Sequence, residues 1–121
     1  MKQRITLNVI EMDGKKYFRY KGFYFEALYA FPEFERGRGT LKRGGETVRR
    51  AEIHYFGTHG GHTCFMGLQR GKVTMRLFAE KFKVHDKIII TFDCEKRFDL
   101  LENLQRLCPG FPGEYTPTPI P

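Results

Sequence analysis

Gln3-Arg4-Ile5-Thr6-Leu7-Asn8-Val9 alternates polar and apolar side chains, and Ile10-Glu11-Met12 leads into Asp13-Gly14. Successive strand residues point to opposite faces, so Ile5, Leu7 and Val9 share one side. Asp-Gly favours a two-residue hairpin loop because both residues accept positive φ. Residues 15–21 resume as a second strand. The chain therefore opens as an antiparallel hairpin with one apolar face.

Outward from this hairpin, the β signal continues. Phe23 to Phe31 is a dense aromatic run that Pro32 interrupts, as expected at an edge or the end of a strand. Residues 47–56, 62–68 and 72–78 are further strand candidates, the last two joined by Gln69-Arg70-Gly71. Phe78 and Phe82 sit four apart in a short helical turn over 78–83, and His85-Asp86 turns the chain into Lys87–Phe92. Asp93 is the predicted cap of a C-terminal helix over 94–107, with Phe98, Leu101, Leu104, Leu107 and Cys108 along one face and Glu95 near its start. Pro109-Gly110 ends it, and the tail holds five of the six prolines, which predicts an extended or loosely docked segment. The predicted architecture is a single α+β, mostly β domain over 1–108, with a Pro-rich tail at 109–121. Short antiparallel strands need closure or covered edges, so the domain is expected to be a small antiparallel β-barrel-like body with a short helix and a C-terminal helix.

Residues 71–92, Gly-Lys-Val-Thr-Met-Arg-Leu-Phe-Ala-Glu-Lys-Phe-Lys-Val-His-Asp-Lys-Ile-Ile-Ile-Thr-Phe, resemble the strand, short helix, turn, strand unit of swapped-hairpin and pseudobarrel DNA-binding domains. His85-Asp86 stands where those families carry a turn resembling Gly-Asp, and their proline after the first strand is absent. The resemblance covers 22 residues and implies a β-barrel.

The chain has 121 residues, 40% hydrophobic and 29% charged, which excludes a simple disordered chain and leaves room for one core. No apolar run approaches the ~20 residues of a membrane span. Met1-Lys2-Gln3-Arg4 leads into a strand rather than an apolar signal core, so a cytoplasmic setting is expected. Three cysteines, Cys64, Cys94 and Cys108, make an odd and sparse set that argues against a disulfide scaffold.

The net charge is +7, and residues 36–50 supply +5 of it. Arg36, Arg38, Lys42, Arg43, Arg49 and Arg50 face one acid, Glu46, in a segment that also contains Gly37, Gly39, Gly44 and Gly45. A Gly-rich basic segment is expected to form a flexible arm or a hairpin rather than core. Clustered cations hold phosphates, so the expected function is non-enzymatic nucleic-acid binding through this arm on the phosphate backbone. Lys15, Lys16, Tyr17, Arg19 and Lys21 would extend the surface. Alternation puts Tyr17, Arg19 and Lys21 on one face of their strand, with Phe18 and Tyr20 on the other. One face then serves the core and the other binds, with aromatic rings stacking bases. DNA and RNA, single and double strand, are not separated by these residues.

His54, His59, His62 and Cys64 form a second cluster. His59, His62 and Cys64 are zinc-type ligands, but their spacing matches no established finger and needs a fourth ligand from elsewhere. No metal and no cofactor are assigned. The same histidines with Glu52 and an arginine have the makings of a small basic ribonuclease. The glycine pairs lack the Gly-Lys-Ser/Thr ending of a phosphate loop. A different class of reading is a small phage or mobile-element inhibitor module that docks on a nucleic-acid-processing enzyme. Its basic arm would occupy an acidic groove and Tyr115 to Pro121 would act as a peptide anchor.

Overall fold

The computed structural model describes residues 1–30, 37–52, 64–69, 72–94, 97–107 and 117–121. Strands β1 (Lys2–Met12) and β2 (Lys15–Tyr20) form the expected hairpin, with Asp13 at φ 51° and Gly14 at φ 77°. Two positive φ values in a two-residue loop match the right-handed twist of the strands they join. The aromatic run divides into β3 (Phe23–Phe25) and β4 (Ala27–Ala30), with a bend at Glu26. Further along lie β5 (Gly37–Arg43), β6 (Glu46–Glu52), β7 (Cys64–Gln69), β8 (Lys72–Phe78), a 3-10 turn at Ala79–Lys81, β9 (Lys87–Asp93), helix α1 (Leu100–Leu107) and β10 (Thr118–Pro119).

Seven strands form one antiparallel sheet in the order β10-β3-β2-β1-β9-β5-β6, and β4-β8-β7 form a second. No closed barrel is present among the described residues, which corrects the barrel-like expectation. The reason lies at Glu26: β3 pairs with β2, but β4 leaves for β8. The chain thus builds two sheets instead of closing one. The β8, 3-10 turn, turn, β9 order of the 71–92 unit is present, yet β8 and β9 belong to different sheets. At the outer edge, a register shift opposite Leu41/Lys42 leaves Val48 of β6 without a Cα partner. A bulge of this kind discourages edge-to-edge pairing. The other edge, β10, contains Pro119, which cannot donate to a further strand.

The core lies on one face of the large sheet. Ile5, Leu7 and Val9 of β1, Phe18 of β2, Leu41 of β5 and Ile88, Ile90 and Phe92 of β9 pack with Leu28 and Leu77 of the second sheet and Leu100 and Leu104 of α1. Phe18 sits 6.0 Å from Phe25 and 5.8 Å from Phe82 between ring centroids. Burial of such side chains is the main favourable term in folding.

The helix expected over 94–107 is not formed at that length. Cys94 N–H still donates to the Met1 carbonyl, and Phe98 N–H donates to Gln3 Oε1 at 2.9 Å, so both residues are tied to the start of β1. One short helix begins at Leu100, where Asp99 Oδ1 accepts from Glu102 N–H at 3.0 Å. Asp99, not Asp93, is the cap. Glu95 lies outside the described residues. Among these residues no helix is long and apolar enough to cross a membrane.

Candidate nucleic-acid interface

The segment expected as an arm does not project. Arg38–Lys42 is paired on both sides, with β9 and with β6, and only the Arg43–Glu46 turn extends past the start of β9. Gly44 and Gly45 form that turn at φ 61° and 83°, where other residues are strained. Of the two forms its composition allowed, the hairpin is the one observed. Being woven into the sheet, it distributes its cations over two faces. Arg38 and Lys42, with Arg50 opposite Thr40, face away from the core. Arg49 is opposite buried Leu41, and Arg43 shares that side. Arg36 lies outside the described residues.

Register then assembles a surface that no single segment contains. Thr47, Lys42, Lys87, Asn8, Arg19, Tyr24 and Thr118 are successive partners across all seven strands. Partners in an antiparallel ladder share a face, so these seven form one continuous polar row. At about 4.8 Å per strand, Arg19 and Lys42 stand roughly 14 Å apart. Two residues along the strands, Arg50 and Thr40 flank Ile89 and Thr6. A further step brings Glu52, Arg38, Thr91 and Arg4 into line. Lys42 and Lys87 are directly opposite each other, an arrangement of like charges that costs stability. Among the described residues none of Arg4, Arg38, Lys42, Arg50 and Lys87 is held in an ion pair. Ile89 is buried on this outer face, outside the core cluster that Ile88 and Ile90 join.

The β2 residues divide as alternation predicts. Phe18 is buried and Tyr20 packs on the core, while Tyr17 and Arg19 occupy the outer face. Tyr17 and Tyr24 meet edge to face, 5.0 Å between centroids, and Tyr24 is opposite Arg19. The neighbouring lysines contribute less than expected. Lys15 Nζ is 2.6 Å from Glu26 Oε1, and this hydrogen bond raises its pKa. Lys16 lies on the other face and donates to the Phe82 carbonyl at 2.7 Å. Lys21 leaves the strand at φ 53° with its Nζ 5.3 Å from the Tyr20 ring centre. Arg4 and Lys87, outside the sequence's charge cluster, stand on this face through the polar half of the β1 and β9 alternation.

Arg43 has a structural partner. Its Nε and Nη2 donate to Asp86 Oδ1 and Oδ2 at 2.8 and 2.9 Å. Asp86 is fully buried. Burial alone would push its carboxyl up, but the Arg43 hydrogen bonds, the Lys83 N–H and nearby positive charge together hold it below its ordinary value. The Arg43 guanidinium is correspondingly raised, chiefly by its bond to Asp86. This pair joins the β5–β6 turn to the 83–86 turn, where His85 adopts φ 74°, the left-handed region glycine favours.

His54, His59 and His62 lie outside the described residues, and of Cys64 only the backbone in β7 is described. No metal-binding group occurs among the described residues. The last residues are docked: Thr118 and Pro119 pair with Tyr24 and Phe23, and Ile120 N–H donates to the Gly22 carbonyl. That part of the predicted peptide anchor is thus engaged by its own sheet. Compared with known proteins, the chain matches no family model, no curated protein and no solved structure, so its function has to be read from these residues themselves.

Proposed function

We propose that this domain is a non-enzymatic nucleic-acid-binding protein whose contact surface is the outer face of the large sheet, with phosphates lying along the polar row. The observation that carries this reading is Lys42 opposite Lys87, with Arg50, Arg4 and Arg38 on the same face and Glu52, the strand partner of Arg38, as the acid in line with them. Such a surface gains when a polyanion displaces its counterions. Phosphate contacts position a nucleic acid and carry no sequence information by themselves. The Arg38, Lys42 and Arg50 part of the sequence cluster serves this face, joined by Arg4, Arg19 and Lys87. Salt-titrated binding of the purified protein to labelled oligonucleotides tests the proposal. Lys87→Glu with Arg38→Glu is expected to abolish binding with little change in thermal midpoint, because both side chains are exposed. Retained binding by this double variant, or no binding by the wild type at low salt, overturns the proposal.

A further inference from the structure

Resting on that reading of the outer face, we infer that the polynucleotide it takes is single-stranded, with a base stacked at Tyr24 beside phosphates on Arg19, Lys87 and Lys42. Two independent features of the fold point this way.

The first is shape. Reading duplex DNA in its major groove requires an element that enters it, a helix or a two-stranded ribbon. The β5–β6 hairpin is the natural ribbon in this chain, but β9 flanks β5 as far as Lys42. The short turn that remains is occupied otherwise: Arg43 is committed to Asp86, and Glu46 adds a negative charge opposite Arg43 in register. Around the polar row, sheet is what the described residues offer.

The second feature is the aromatic end of the row. Tyr17 and Tyr24 are half-buried on the cationic face, and Tyr24 is the direct strand partner of Arg19. Neither ring belongs to the core cluster. Single strands expose π faces that stack on such rings while cations follow the phosphates. A duplex keeps those faces stacked inside itself and leaves the tyrosines without that role. A ring next to a cation row therefore distinguishes the two ligands in a way the cations do not.

The test compares a 12-nucleotide single-stranded DNA, the same sequence as RNA, and the matching duplex DNA, each titrated against the full chain at fixed salt. Both single strands are expected to bind at least tenfold more tightly than the duplex. Tyr24→Ser is expected to weaken single-strand binding roughly 5- to 160-fold, the span that stacking of one base implies, and to leave duplex binding unchanged. Tyr24→Phe keeps the ring and is expected to bind as the wild type does, which separates stacking from folding. Equal affinity for duplex and single strand, or a Tyr24→Ser protein that is folded and binds single strands normally, overturns the inference. If the duplex binds equally well and Lys87→Glu with Arg38→Glu abolishes it, the outer face stands as the nucleic-acid surface and only the single-strand inference falls. If no oligonucleotide binds, both fall.

Discussion

The guanidinium of Arg43 closes on the carboxylate of Asp86 through two parallel hydrogen bonds, 2.8 and 2.9 Å long. Asp86 is fully buried, while the Arg43 side chain is 39% exposed. Removing the arginine leaves a buried carboxylate with the Lys83 N–H as its remaining described donor. Stranding a buried charge is strongly destabilising, although partial exposure of the arginine moderates the loss. Arg43→Ala is therefore expected to lower unfolding stability by about 2 kcal/mol, measured by urea denaturation. A variant as stable as the wild type would show that the pair is not a structural tie. Arg43 is accordingly a poor position at which to test binding, although sequence alone groups it with the other cations.

The same pair predicts a pH dependence. The folded-state pKa of Asp86 is lowered below its ordinary 3.8. A depressed carboxyl contributes stability that is fully present above the unfolded pKa and is lost as pH falls through the folded value. The expected loss thus begins near pH 4 and deepens on further acidification. Asp86→Asn removes this titrating group. Its urea-unfolding stability should consequently vary less with pH below 4 than the wild type's; equally steep curves would assign the acid sensitivity to other carboxyls.

The helix start provides a third expectation. Asp99 Oδ1 accepts from Glu102 N–H, whereas Asp93 still belongs to β9, opposite Lys2. Asp99→Ala is expected to cost about 1 kcal/mol, the ordinary loss of an N-cap. Asp93→Ala should cost less than half as much by the same denaturation measurement. The reverse order would restore Asp93 as the cap.

These differences show what could be read along the chain and what could not. The Ile5-Leu7-Val9 alternation and the Asp13-Gly14 loop are local, so the first hairpin was legible. The helix boundary was not, because the Cys94 and Phe98 N–H groups donate to Met1 and Gln3 at the other end of the chain. Only local signals reach a reader of sequence, although Asp99-x-x-Glu102 was itself a capping pattern. The candidate site follows the same logic. Arg38, Lys42 and Arg50 stood out as a cluster, but Arg4 and Lys87 are brought to them by strand register. The Ile88-Ile89-Ile90 run hid the outward face of β9, since Ile89 is buried there among polar neighbours. Barrel closure failed as an expectation at one residue, Glu26, where the chain changes sheets.

His85 holds φ at 74° in the turn before β9, a conformation that costs a residue with a Cβ roughly 1 kcal/mol. Its side chain is exposed, and its N–H, which donates to the Val9 carbonyl, is retained by glycine. His85→Gly is therefore expected to keep the fold and raise unfolding stability by up to about 1 kcal/mol, seen as a higher urea midpoint. A lower midpoint would mean that the imidazole makes a contribution larger than the strain it imposes.

Salt dependence separates a sheet-face surface from a surface confined to residues 36–50. Each phosphate neutralised by a cation contributes about −0.7 to the slope of log K against log salt for a single strand. Six outer-face cations, Arg4, Arg19, Arg38, Lys42, Arg50 and Lys87, would together give a slope of about −4.2. Lys87→Ala deletes one cation that lies outside the sequence cluster but opposite Lys42 in register. It is expected to reduce the steepness by about 0.7 and to weaken binding at every salt concentration below the crossover. Arg49→Ala, on the core-facing side of the edge strand opposite Leu41, should leave the slope near its wild-type value. If Arg49→Ala flattens the slope and Lys87→Ala does not, the contact surface follows the hairpin and not the face of the sheet, because only the hairpin contains Arg49 and only the face contains Lys87.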